Sequence, residues 1–185
     1  MSVVKENYSK FSPKFFFALL LCLVVRLIPF RAPNVEPILA TMMPFSKAYG
    51  AFIGFSFAVL SIFIYDLLTG TMGIQTLFTV GAYGVLGLWS ASYFKKYQGS
   101  RWDYVRFAIF GTLFFDAFTG FTVGPIFFHQ SFTQSFFGQI PFTALHLTGN
   151  VIFALILSPA IYKNLIKKKE KNLLSPSNIF NPKII

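Results

Sequence analysis

The chain has 185 residues and a formal net charge of +10; 55% of its residues are hydrophobic, 26 are phenylalanine, and only 12% are charged. A soluble domain of this length could not cover so much apolar surface, and the charged share is about half the usual globular value. The totals, with a mean hydropathy of +0.62, predict an all-α integral membrane protein in one compact domain.

The first apolar run is Phe15 to Pro29, "FFFALLLCLVVRLIP". The sequence "RLIPFRAPN" follows with no small-x-small pattern, so the run does not read as a cleaved signal peptide. It holds the single cysteine, Cys22, which excludes a disulfide framework. The proline-bracketed loop "FRAPNVEP" comes next and forbids a continuous helix. A short element from Pro37 to Lys47 contains Pro44 and cannot span a bilayer unaided. Residues 49 to 68 and 74 to 94 form two clear spans; 103 to 118 and 141 to 162 complete the set. Between the last two lies a long segment without Asp, Glu, Lys or Arg.

Basic residues flank these runs instead of forming one patch. Lys5, Lys10 and Lys14 open the chain; Lys95, Lys96, Arg101 and Arg106 sit in its middle; Lys163, Lys167, Lys168, Lys169 and Lys171 close it. Such placement is a topology signal, and it predicts no nucleic-acid partner. If the short second element crosses, the basic ends, Lys47 and the Lys95–Arg106 loop share one side, with Arg26 and Arg31 opposite. If it does not, the positive charges are split. The positive-inside rule therefore predicts six transmembrane helices, the second one short, with both termini cytoplasmic and a long outer loop between helices 5 and 6. The expected layout is a cytoplasmic tail over 1–13, a six-helix domain over 14–163 and a basic cytoplasmic tail over 164–185, in the inner (plasma) membrane.

Two segments share one wording: "IYDLLTG" at 64–70 and "FFDAFTG" at 114–120. Glycine favours the left-handed residue that ends a helix, so both read as outer helix ends, with Asp66, Thr69, Asp116 and Thr119 beside the membrane surface. Acids near membrane depth are candidates for ligand contact. The fourth helix opens with Gln75 and Thr76, and Thr76, Thr79 and Tyr83 share a face. In the last helix, Thr143, His146 and Asn150 lie on one stripe that must face the bundle or a wet cavity. Gly50, Gly54, Gly81, Gly84 and Gly87 read as helix-packing positions. In "GPIFFHQSFTQSFFGQIP", Pro125 is a candidate start and Gly138 a candidate end of a short outer helix, with His129, Gln130, Thr133 and Gln134 on its polar stripe. Such a helix would suit a lid, or would rest among lipid headgroups.

The "RLIPFRAPNVEP" loop, the short second helix, the glycine-bearing third helix and the six-span layout resemble the substrate-binding S component of energy-coupling factor (ECF) vitamin transporters over roughly residues 14 to 163. The resemblance implies a non-enzymatic subunit of an ATP-driven importer that captures a small vitamin-like molecule at its outer face. It implies a transmembrane coupling subunit and an ATPase pair as partners, with membrane lipid around it. Substrate would be enclosed by segments 30–37, 66–76 and 116–141, which adds Arg31, Asn34 and Glu36 to the candidate binding residues. The family docks its partner through small residues on the first helix, a pattern approached here by Ala18 and Cys22. The chain has no GxxxxGK[ST] loop, so ATP hydrolysis would come from elsewhere. No cofactor is expected, and the two histidines, His129 and His146, lack metal-ligand spacing.

Two other readings stay open. One is a structural six-span membrane protein of the rod-shape-determining type. The other is an intramembrane aspartic protease using Asp66 and Asp116, although its GxGD signature is absent.

Overall fold

The computed structural model describes residues 12–30 and 35–167. They form six α-helices and no strand: α1 Pro13–Leu27, α2 Ile38–Tyr49, α3 Ala51–Thr69, α4 Ile74–Lys96, α5 Arg101–Phe128 and α6 Phe132–Ala160, which runs on into a π-helical segment, Ile161–Lys167. Four stretches, α3, α4, α5 and Phe132–Lys167, are long and apolar enough to cross a membrane. The chain is an all-α membrane protein.

Proline at the first position favours the start of α1. Its buried stripe, Phe15, Ala18, Leu19, Cys22, Leu23 and Arg26, follows helical spacing, while Phe16, Phe17, Leu20, Leu21 and Val24 face outward. An apolar outer face suits lipid. Ala18 and Cys22, which approach the small-residue pattern, pack into the core of this chain.

The twelve-residue α2 is the hub. Every residue from Ile38 to Ser46 is buried, and the helix touches all five others. Pro44 lacks an N–H, so the Ala40 carbonyl one turn earlier loses its helical partner. Ser158 of α6 supplies it, with its hydroxyl donating to Ala40 O at 2.7 Å. Gly50, at φ 90°, separates α2 from α3.

Helices α3 and α4 bring their backbones together at Gly54 and Gly87. A methyl group on Gly87 would lie 2.6 Å from the Gly54 carbonyl oxygen, and Ser46 Oγ donates to Gly87 O at 3.1 Å. Gly84 sits against Phe55 and Val59. Gly81 faces open space and Gly50 is a conformational break, so neither serves the packing role expected for it.

The greatest difference from expectation lies between α5 and α6. There is no long outer loop and no separate lid helix; α5 reaches Phe128 and α6 begins at Phe132. Pro125 lies inside α5 and Gly138 inside α6. The actual break is His129, a left-handed residue at φ 51°, followed by a capping box in which Ser131 Oγ accepts from Gln134 N and Gln134 Oε1 accepts from Ser131 N. Phe128 and Phe132 therefore belong to different helices.

The packed bundle also continues past 163. Lys14 Nζ donates to the Leu165 carbonyl and to Ile166 O, tying the π-helical segment to the start of α1. Lys47, at the end of α2, donates to the Gln98 carbonyl and lies 4.0 Å above the Tyr162 ring. These contacts gather the basic residues at one end. Among the described residues, Arg26 is the only lysine or arginine at the other.

Candidate functional site

The end opposite the basic cluster holds a cavity of about 630 Å³. It opens among the C-terminal turns of α1 and α3, the C-terminal half of α5 and the N-terminal turns of α4 and α6, with Glu36 from the segment before α2. Pockets of this size suit a drug-sized ligand.

One wall is an ion-pair network. Arg26, in the last turn of α1, is buried and places a positive charge where the helix dipole favours it. Its Nε donates to Glu36 Oε2 at 2.9 Å, its Nη1 donates to Ser61 O at 2.5 Å, and its guanidinium lies 3.8 Å above the Tyr65 ring. Tyr83 donates to the other Glu36 oxygen at 2.9 Å. Four parts of the chain, α1, the pre-α2 segment, α3 and α4, are thereby fixed around one carboxylate.

The second wall carries Asp66. Here the sequence reading holds: Gly70, at φ 69°, ends α3 with its N–H on Asp66 O. A carboxylate at a helix C-terminus is disfavoured by the dipole, but the neighbouring start of α4 offsets this. Thr76 donates to Asp66 Oδ2 at 2.7 Å and accepts from Gly73 N at 3.2 Å. Thr76 supports Asp66 without lining the cavity, while Gln75 and Thr79 line it. Thr69 is exposed and turns back to Tyr65 O.

The third wall is the α5–α6 interface, and here the repeat breaks down. Asp116 lies twelve residues before the end of α5, since Thr119–Gly120 does not stop the helix. Gly120 instead meets the Gln139 side chain, so the absent Cβ lets α6 come close. Asp116 and His146 are each 2% exposed, with Oδ1 and Nδ1 2.7 Å apart. Gln139 Nε2 donates to Asp116 O at 3.3 Å. One turn deeper, Asn150 Nδ2 donates to Thr112 Oγ1 at 2.8 Å. Four buried atoms here have no hydrogen-bond partner in the protein: Asp116 Oδ2, Gln139 Oε1, His146 Nε2 and Asn150 Oδ1. Orphaned polar atoms at this depth are costly, and two of the four belong to residues that line the cavity, Gln139 and His146.

Of the residues expected from sequence, the cavity lining brings together Glu36, Asp66, Gln75, Thr119, Gln134 and His146. Asp116 and Asn150 stand behind His146; Thr69 and His129 lie outside the lining. Arg31 and Asn34 lie outside the described residues. Asp66 and Asp116 bond different partners and make no hydrogen bond with each other. Arg26, Tyr65, Tyr83, Gln130, Ser135 and Gln139 also line it without having been chosen as site residues. A polar residue on an apolar helix was the available signal for Arg26 and Tyr83. Nothing in local spacing marks Gln139.

Behind Asp116 a second, mostly apolar groove of about 350 Å³ runs down the outside of α5 and α6, and Gln139 borders both spaces. Comparison with family models, with curated proteins and with solved structures gives no match for this chain.

Proposed function

We propose that the protein is the substrate-capture subunit of a micronutrient importer of the ECF S-component type. The observation that carries this reading is the 630 Å³ cavity at the sparsely basic end of a membrane bundle, lined mainly by amides, hydroxyls and aromatic rings. Charge placement supports six crossings, α2 included, with both termini in the cytoplasm and the cavity outside. At about 1.5 Å per residue, α2 reaches only ~18 Å, so it would cross within the protein, where the burial of Ile38 to Ser46 keeps most of it from lipid. Capture requires no bond chemistry: a small molecule enters from outside and is enclosed by the ends of five helices. Energy would come from a coupling subunit and an ATPase pair.

Mass spectrometry of ligand extracted from purified protein, followed by a thermal-shift screen across vitamins and their precursors, tests the function. One bound compound at nanomolar to micromolar affinity is expected; no binding across the panel would contradict it. Orientation has its own test. A Ser131→Cys variant is labelled by an impermeant thiol reagent from outside intact cells, whereas labelling only after lysis would reverse the topology.

A further inference from the structure

The cavity's unsatisfied groups restrict what it can hold. Arg26 is its only described cation, and that cation is already used: Nε is on Glu36, Nη1 on Ser61 O and its face on Tyr65. Both Glu36 oxygens are also taken, by Arg26 and Tyr83. The network is internally neutral, and among the described residues no unpaired cation lines the cavity to meet an incoming anion.

The remaining buried groups accept hydrogen bonds. Gln139 spends its Nε2 on Asp116 O, which fixes the amide and leaves Oε1 as an acceptor. The Asp116 carboxylate can only accept, so the hydrogen between it and His146 sits on Nδ1. In the neutral ring, Nε2 is then a bare acceptor without a partner. Across the cavity, Asp66 adds a second carboxylate, with Thr76 on one oxygen. Aromatic rings, including Phe115 and Phe142, stand beside His146.

We propose that this cavity selects a ligand bearing N–H donors on a flat nitrogen-containing group, amidinium-like or amino-heteroaromatic, neutral to cationic, and excludes carboxylates and phosphates. The inference rests on the capture reading above and narrows it to a ligand class. Donors meet His146 Nε2, Gln139 Oε1 and the Asp66 carboxylate, while the rings hold the flat face. An anion would meet two carboxylates, Asp66 and, behind His146, Asp116. His146 and Gln139 are the specificity groups, and Asp116 is a positioning residue that holds the imidazole tautomer.

The test uses two pairs of probes matched in shape and opposed in charge: benzamidine against benzoate, and 2-aminobenzimidazole against benzimidazole-2-carboxylate. Each is titrated into the purified full chain in nanodiscs, read by thermal shift and ligand-observed NMR up to 10 mM. The amidine and the amine are expected to bind and the carboxylates to fail. Asp66→Asn and Gln139→Met weaken amidine binding about tenfold or more, the scale of one charge-assisted hydrogen bond, while Thr148→Ala, on the exposed face of α6, leaves it unchanged. Preferential binding of the carboxylates would overturn the ligand class and leave the capture function standing. Binding of none of the four, together with no extracted ligand, would overturn both.

Discussion

Asp116 and His146 meet across the α5–α6 interface with 2.7 Å between Oδ1 and Nδ1, each side chain almost completely buried. A carboxylate halfway along a membrane helix is tolerable only with such a partner. A double-mutant cycle with Asp116→Asn and His146→Leu, measured by equilibrium unfolding in micelles, is expected to give a coupling of about 1.5–3 kcal/mol, the usual worth of a hydrogen bond to a charged group. Additive effects would show the pair to be energetically independent.

The Arg26–Glu36 pair is also buried, and it is held by Tyr83, Ser61 and Tyr65 at once. Glu36→Gln leaves the guanidinium without its counter-charge. A loss of about 3–5 kcal/mol is expected. Arg26→Met combined with Glu36→Leu removes both charges and should cost less than Glu36→Gln alone. Unfolding midpoints of the three variants check the order.

Glycines that look alike in sequence should respond differently. Gly87→Ala places a methyl group against the Gly54 backbone and must push α3 and α4 apart, at about 1–3 kcal/mol. Gly81→Ala meets open space in a helix interior and should be neutral or stabilising by about 0.5–1 kcal/mol. Thermal denaturation of the two variants separates them.

Ser158→Ala removes the hydroxyl that donates to the Ala40 carbonyl, the carbonyl that Pro44 leaves without its helical partner. A loss of about 1–3 kcal/mol is expected. Restoring the helical N–H with Pro44→Ala in the same chain should recover most of it, and failure to do so would detach the serine from the proline.

The helices were legible because their apolar runs exceed any alternative use of such residues. Burial of His146 and Asn150 was legible too, since a polar stripe on an apolar helix has to turn inward. The Asp66 end was readable because Gly70 adopts the left-handed conformation that its position suggested. The same words at Asp116 misled. Gly120 is spent on letting Gln139 approach, and continued packing of α5 against α6 overrides the local stop signal. The supposed outer loop failed for a related reason: aromatic and amide residues without charges extend two helices as readily as they form a lid. The Arg26–Glu36–Tyr83 network joins residues 10 and 47 positions apart, a pairing that no local spacing encodes.

The central claim is that the cavity between Asp66 and His146 holds the captured molecule. The most direct test is native mass spectrometry of the protein released from nanodiscs, comparing the natural chain with Asp66→Asn, His146→Leu and Thr148→Ala. The account predicts one small molecule retained by the natural chain and by Thr148→Ala, and lost from the two cavity variants. Equal retention by all four, or no bound molecule in the natural chain under any loading condition, would contradict it.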